Sequence, residues 1–131
     1  MARVTVVNDY QEFLDIMRDL LAERGGHEFT GFDGDKTTFE QIAQTDPEVL
    51  IIDLRLNVDG LTGWDVLTLA RAHDRMRAVP VIVCSADVAQ VRQRAVEFKE
   101  IGNIHVREKP FDADEMLDLI DHLATNGSTA G

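Results

Sequence analysis

The chain has 131 residues, of which 44% are hydrophobic and 28% are charged, and its formal net charge is −11. This length and composition predict one domain with a hydrophobic core, and they exclude disorder, a collagen-like fibre and a disulfide-stapled mini-protein. The negative charge argues against direct binding of nucleic acids or anionic membranes, and the single cysteine excludes an intrachain disulfide.

In the first half of the chain, short apolar runs alternate with amphipathic segments. Residues 4–7 and 49–52 are continuous runs rich in Val and Ile, which is typical of strands covered on both faces of a parallel sheet. Residues 28–32 mix polar with apolar side chains, which predicts an edge strand. Apolar residues recur at helical spacing over 13–21 and 39–43, so each of these segments predicts a helix between two strands.

The same alternation continues in the second half. Helical spacing over residues 64–70, 88–98 and 116–123 predicts three further helices. Residues 79–84 predict a fourth strand that is buried on both faces, and the more polar residues 104–106 predict a fifth strand at the other edge of the sheet.

Five strands alternating with five helices predict an α/β protein of the flavodoxin-like (βα)5 type, a three-layer sandwich around one parallel five-stranded sheet. Because the two polar strands belong at the edges, the predicted strand order is 2-1-3-4-5. Residues 1–124 are expected to form the domain, and residues 125–131 a flexible tail or the start of a linker. The chain contains no apolar run of membrane-spanning length and begins without a secretory leader, so we expect a cytoplasmic location.

Polar residues follow four of the predicted strands at their carboxyl ends, where open parallel sheets bind ligands. Asn8 and Asp9 follow the first strand, Asp53 the third, Ser85 the fourth and Lys109 the fifth. Taken alone, Asp9 and Ser85 could cap helices and Lys109 could be solvated. Asp53 directly follows a buried strand, however, and an ionised carboxylate in that position needs a compensating charge.

Together these side chains predict a phosphoryl-accepting site. Two converging carboxylates, Asp9 and Asp53, repel each other unless a cation lies between them, and oxygen ligands of this kind suit Mg²⁺. A metal ion and the Lys109 ammonium would balance the charge of phosphoryl oxygens, while the Ser85 hydroxyl would donate a hydrogen bond. Asp53 could accept phosphorus covalently, because carboxylates form acyl phosphates by nucleophilic attack.

The order of these motifs resembles the receiver domain of two-component response regulators, and the likeness extends from about residue 3 to residue 123. The motifs that carry it are Val-Val-Asn8-Asp9, Leu-Ile-Ile-Asp53-Leu-Arg, Val-Ile-Val-Cys-Ser85-Ala and Glu-Lys109-Pro110-Phe111.

This resemblance implies a role for each site residue. Asp53 is expected to take a phosphoryl group from a phosphohistidine on a sensor histidine kinase or a histidine phosphotransfer protein. Asp9 and Asp53, with the backbone carbonyl of Arg55, are expected to hold Mg²⁺. Lys109 should contact the phosphoryl group, and Ser85 should move toward it and change the surface that binds a downstream protein target. Such a domain catalyses only its own phosphorylation and dephosphorylation and is not otherwise an enzyme.

Three departures from the family pattern bear on these expectations. Asn8 replaces an acid, which should weaken Mg²⁺ binding and reduce phosphorylation without abolishing it. Asn57 replaces a proline in a loop that is about two residues longer than usual, either as a tolerated insertion or as an altered lid over the site. Val106, beside His105, replaces the aromatic residue that takes part in the family's conformational switch.

The sequence leaves two other functions open. A degenerate receiver would act as a phosphorylation-independent interaction module, which the changes at Asn8 and Val106 favour and the intact Asp53 and Lys109 oppose. An FMN-binding flavodoxin-like protein would need a phosphate loop rich in Ser, Thr and Gly after the first strand. The acidic residues there, Asp9 and Glu12, disfavour it.

Overall fold

A computed structural model of the protein describes residues 2–34, 37–54, 57–58, 60–109 and 111–130. The strands among these residues are β1 (Arg3–Val7), β2 (Glu28–Phe32), β3 (Val49–Ile52), β4 (Asn57–Val58), β5 (Leu61–Thr62), β6 (Val81–Ser85) and β7 (Ile104–Glu108). The helices are α1 (Gln11–Arg18), which continues as a π-helix (Asp19–Arg24), α2 (Phe39–Gln44), α3 (Gly63–Ala72), α4 (Val88–Gln93), α5 (Ala95–Ile101) and α6 (Ala113–Ala130).

Five of the strands form the predicted parallel sheet. Its order is β2-β1-β3-β6-β7, which is the predicted order 2-1-3-4-5 once the separate hairpin β4–β5 is left out of the numbering. Every residue of β3 and β6 is buried, whereas β2 and β7 at the two edges are partly exposed. The flavodoxin-like fold is therefore confirmed, and the polar composition of the two edge strands correctly marked their place.

The side chains of the central strands alternate between two hydrophobic cores. Leu50 and Ile52 of β3 face the helices α2, α3 and α5, whereas Ile51 faces α1, the π-helix and α6. Full burial of one such side chain stabilises the fold by about 1.5–3 kcal/mol. Two faces of this kind on one strand explain why the sequence of β3 is a continuous apolar run.

Side chains also fix where several helices begin. Thr38 and Gln41 form a capping box at the start of α2. Thr62 and Asp65 form a second one at the start of α3. Each box satisfies backbone N–H groups that the first helical turn leaves without a partner.

The structure departs from the sequence-based expectation in three places. The longer loop after β3 contains the antiparallel hairpin β4–β5. The single helix expected over residues 88–98 is instead two helices that meet at Arg94. The backbone of α6 is helical as far as Ala130, so the helix includes residues expected to form a flexible tail, and the domain boundary at residue 124 stays a prediction. Among the described residues, no helix combines the length and the apolar character needed to cross a bilayer.

Candidate functional site at the carboxyl edge of the sheet

The carboxyl ends of the central strands lie side by side. In the parallel register, Val7 of β1 pairs with Ile52 of β3, and Ile52 pairs in turn with Val83 of β6. Ser85, the last residue of β6, pairs with Glu108 of β7. The residues that directly follow these strands therefore leave the sheet at one edge.

An ion pair between Asp53 and Lys109 forms the centre of this edge. The Nζ atom of Lys109 donates a hydrogen bond of 3.1 Å to Oδ2 of Asp53. The two side chains are only 16% and 22% exposed. The ammonium therefore supplies the compensating charge that a carboxylate at the end of a buried strand requires.

Two further contacts fix Lys109. Its backbone N–H donates to the carbonyl oxygen of Ser85 at 3.0 Å, which ties the end of β7 to the end of β6. Its Nζ atom lies 4.4 Å from the centroid of the Phe13 ring on α1. The Phe13 ring in turn meets Phe111 edge to face, with centroids 6.2 Å apart. Sequence reasoning missed this role of Phe13, because its spacing marks it only as one more apolar residue of α1.

Ser85 is fully buried, and its hydroxyl belongs to the turn that leads into α4. The Ser85 Oγ atom accepts a hydrogen bond from the backbone N–H of Asp87 at 3.1 Å. Asp87 then caps α4 by accepting from the N–H of Gln90, also at 3.1 Å. A movement of the Ser85 side chain would therefore change the hydrogen bonding at the start of α4.

The residues after β1 contribute one acid and one amide. Asp9 is exposed and leaves β1 at the same edge as Asp53. Asn8 is buried, and its Oδ1 atom accepts a hydrogen bond from the backbone N–H of Tyr10 at 2.9 Å. The Asn8 side chain thus shapes the turn before α1, a role in which Asn is common.

The carboxylates at this edge match the ligand chemistry of Mg²⁺. Within the described part of the chain, no three Asp, Glu, His or Cys side chains group as a metal site. Asp9 and Asp53 supply two carboxylates, and Mg²⁺ in proteins commonly uses one or two carboxylates and keeps several waters. The expected third ligand, the carbonyl of Arg55, lies outside the described residues.

The hairpin β4–β5 brings the chain back against the backbone of the site. A Cβ atom at Gly63, where α3 begins, would lie 2.4 Å from the carbonyl oxygen of Asp53 and 2.8 Å from Cα of Leu54. Val58 of β4 is fully buried. The longer loop is therefore packed against the segment that follows Asp53, and only glycine fits at the point of closest approach.

Three residues of β6 and β7 are structural in this geometry. Cys84 is buried in β6, and burial, opposed in part by Lys109, raises the pKa of its thiol to about 12. Val106 packs at the margin of the core, and its neighbour His105 is half-buried. Burial lowers the pKa of His105, with smaller contributions from the charges of Arg107 and His122. The neutral thiol therefore adds no charge to this edge at neutral pH.

A cavity of about 570 Å³ lies beside the ion pair, between α1 with its π-helix and the start of α6. Its lining residues are Phe13, Ile16, Asp19, Leu20, Glu23, Arg24, Lys109, Phe111 and Ala113.

Comparison with known proteins places this chain in a family. The family model for the response regulator receiver domain matches residues 4–121. The sensory/regulatory protein RpfC of Xanthomonas campestris pv. campestris is 31% identical over 126 residues, which are 95% of this chain but only 17% of RpfC. The chemotaxis protein CheY of Pseudomonas aeruginosa is 25% identical over 121 residues, 92% of this chain and 94% of that protein.

Solved structures agree on the fold. The receiver domain of the Francisella response regulator 1452 superposes with a TM-score of 0.80 at 22% identity and covers 96% of this chain and 98% of its own. The receiver domain of the sensor histidine kinase PA1611 from Pseudomonas aeruginosa, described with a magnesium ion in its active site cleft, gives 0.73 at 18% identity over 95% and 99%. The match over residues 4–121 shows that the chain belongs to the response regulator receiver domain family of two-component systems.

Proposed function

We propose that the chain accepts a phosphoryl group on Asp53 from a sensor histidine kinase or a histidine phosphotransfer protein. The observation that carries this proposal is the 3.1 Å ion pair between Lys109 and Asp53 at the carboxyl edge of the sheet. A largely buried carboxylate held beside an ammonium is a nucleophile placed next to the charge that phosphoryl oxygens require.

The transfer step follows from these two groups. An oxygen of Asp53 attacks the phosphorus of a phosphohistidine, so that a P–O bond forms while the P–N bond breaks. The departing imidazole keeps the electron pair of the broken bond and takes up a proton. The Lys109 ammonium stabilises the negative charge on the transferred phosphoryl oxygens. Hydrolysis of the acyl phosphate then regenerates the Asp53 carboxylate.

We assign the predicted Mg²⁺ to the carboxylates of Asp9 and Asp53, together with the Arg55 carbonyl. The ion would supply further charge compensation for the phosphoryl group. The receiver domain of PA1611, whose structure is described with magnesium in its active site cleft, supports this assignment. Asn8 gives the site one negative charge fewer than the family pattern, so we expect a low affinity for Mg²⁺.

The expected output is a change in protein binding. Ser85 would leave its hydrogen bond with the Asp87 N–H when it turns toward the phosphoryl group, and the start of α4 would then rearrange. A downstream protein that recognises the rearranged surface is the proposed partner. The expected cytoplasmic location remains a prediction.

A phosphorylation-independent interaction module is the second candidate. It is favoured by Asn8, whose side-chain oxygen accepts from Tyr10, and by Val106 at the switch position.

Exposure to acetyl phosphate and Mg²⁺, followed by intact-protein mass spectrometry, separates the two candidates. We expect one added phosphoryl group on the wild-type chain and none on Asp53→Asn, which keeps the size of the side chain but removes the nucleophile. Beryllofluoride with Mg²⁺ should also change the fluorescence of Trp64. An unlabelled wild-type chain that does not respond to beryllofluoride would support the second candidate.

A further inference from the structure

The ammonium of Lys109 touches two side chains on different elements. It lies 3.1 Å from Oδ2 of Asp53 and 4.4 Å from the centroid of the Phe13 ring. We propose that Phe13 is a positioning residue for phosphoryl transfer, because its ring holds the ammonium beside the phosphoacceptor. This inference rests on the proposed function of Asp53.

A lysine at this position needs such a partner. Its flexible four-carbon stem allows many rotamers, and its charge is a compact point without the planar fork of arginine. The cavity beside Lys109 leaves room for rotamers that point away from Asp53. An aromatic face attracts a cation within about 6 Å of its centroid, and the attraction grows when the cation is largely removed from water. Lys109, at 22% exposure, meets both conditions.

The Phe13 ring is itself held in place. Phe13 belongs to the first turn of α1, and Phe111 meets its ring at an interplanar angle of 85°. Phe111 follows Lys109 by two residues, so the aromatic pair connects α1 to the segment that carries the lysine. The backbone of Lys109 is anchored separately by the Ser85 carbonyl. The ring contact therefore acts on the lysine side chain, whose backbone position is already set.

Apolar packing alone would also place a large residue at this position, since Phe13 lines the cavity. The two roles respond differently to substitution. Leucine retains most of the apolar volume but has no aromatic face, whereas tyrosine retains the face. Ile16 lies on the same helix, lines the same cavity and is 60% exposed, which makes it a matched control.

The test compares Phe13→Leu, Phe13→Tyr and Ile16→Ala with the wild-type chain. Acetyl phosphate at saturating Mg²⁺ is the donor, because a small donor removes effects on protein docking. We expect Phe13→Leu to lower the phosphorylation rate constant by about three- to tenfold, from the range of cation–π attractions. Phe13→Tyr should recover most of that loss, and Ile16→Ala should match the wild type.

Two further measurements separate positioning from a general effect on the fold or the metal. The NMR signals of the Lys109 side chain should be shifted by the Phe13 ring current in the wild type and in Phe13→Tyr, and should lose that shift in Phe13→Leu. The dissociation constant for Mg²⁺ should be the same in all four proteins, because neither substituted residue supplies an oxygen ligand.

Each other result overturns the inference. An equal rate in Phe13→Leu and wild type would show that the ring does not assist transfer. Equal losses in Phe13→Leu and Phe13→Tyr would show that the aromatic face is irrelevant. If the wild-type chain itself is not phosphorylated, the proposed function fails and this inference fails with it, which is distinct from a labelled wild type with an unaffected Phe13→Leu variant.

Discussion

The two faces of the central sheet are covered by helices of different length. On one face, α1 and its π-helix run without a break over residues 11–24, and α6 has 18 residues. On the other face, α3 has 10 residues, but α2 and α4 have only six each and α5 has seven. Helices this short form few of their own hydrogen bonds and depend on packing for stability.

The difference matters because each face carries a different part of the site. The long-helix face supplies Phe13, which holds Lys109 beside Asp53. On the other face, α4 begins three residues after Ser85 and ends after six residues, just before Arg94. Segments with low local stability are the ones that rearrange at small cost. The molecule thus combines a side that supplies the aromatic contact of Lys109 with a side that contains several short helices next to Ser85.

A direct link between the two sides is the contact of Gly63 with the backbone of Asp53, and Gly63→Ala should have the largest effect. Because backbone atoms would have to move, we expect the free energy of unfolding to fall by about 2–3 kcal/mol, in the upper range for overpacking. The reactivity of Asp53 toward acetyl phosphate should fall as well. Chemical denaturation and phosphorylation rates are the measurements.

Gly60→Ala, in the same hairpin, is the matched control. Gly60 has a φ of +82°, and a Cβ there would meet no atom within 4 Å. The free energy of unfolding of this variant should therefore fall only by the cost of a left-handed backbone conformation, about 1–2 kcal/mol. The reactivity of Asp53 should not change. If the two variants changed the reactivity of Asp53 equally, the close contact of Gly63 would have no specific influence on the site.

Cys84 packs in the core that α1, the π-helix and α6 cover. Titration of its thiol can show whether water reaches this core. Burial raises the pKa of its thiol to about 12 from a reference value of 9.0. As the pH rises, the unfolded chain therefore releases the thiol proton at a lower pH than the folded chain does. The stability supplied by the neutral thiol is complete below pH 9 and is lost as the pH rises toward 12. At pH 11 the loss should be on the order of 2 kcal/mol.

Cys84→Ala provides the reference for this measurement. Both proteins share every other titrating group, so the difference between their free energies of unfolding isolates the thiol. That difference should be constant from pH 7 to 9 and should then change in the direction that favours the alanine variant. If the difference between the two free energies of unfolding stayed constant up to pH 11, water would have access to the thiol in the folded protein.

Much of this architecture follows from local sequence, for identifiable reasons. Strands β3 and β6 are continuous apolar runs because both of their faces are covered, and polar residues mark β2 and β7 as edges. Since parallel strands end together, the sequence also predicts that Asp53 and Lys109 meet. These inferences need only the periodicity of side chains and the topology of an open sheet.

The features that sequence did not predict depend on contacts between distant residues. The apolar spacing over residues 88–98 continues through Arg94, so it predicts one helix where the structure has two. The burial of Val58 arises only when the hairpin packs on the sheet. Phe13 has the spacing of an ordinary core residue, and its contact with Lys109 joins residues 96 positions apart in the chain.

The smallest predicted effect concerns the break between α4 and α5. The guanidinium of Arg94 lies 4.5 Å from the centroid of the Trp64 ring, and Trp64 follows Gly63 directly. Arg94→Met keeps an unbranched side chain but loses the cation, which should lower the free energy of unfolding by about 0.5–1 kcal/mol. Trp64 fluorescence should change, while the phosphorylation rate of Asp53 should stay the same.

Arg92→Met is the control, because Arg92 is an exposed arginine of α4 two residues earlier. It should leave both stability and fluorescence close to the wild-type values. The fluorescence response of Trp64 to beryllofluoride then tests whether Arg94 holds the break between α4 and α5 in place. If Arg94 holds the break in place, Arg94→Met should alter the fluorescence change at Trp64 although Asp53 binds the anion normally. An unaltered response would mean that the break is set by backbone packing, and that the short helices move as one unit when Ser85 is drawn toward the phosphoryl group.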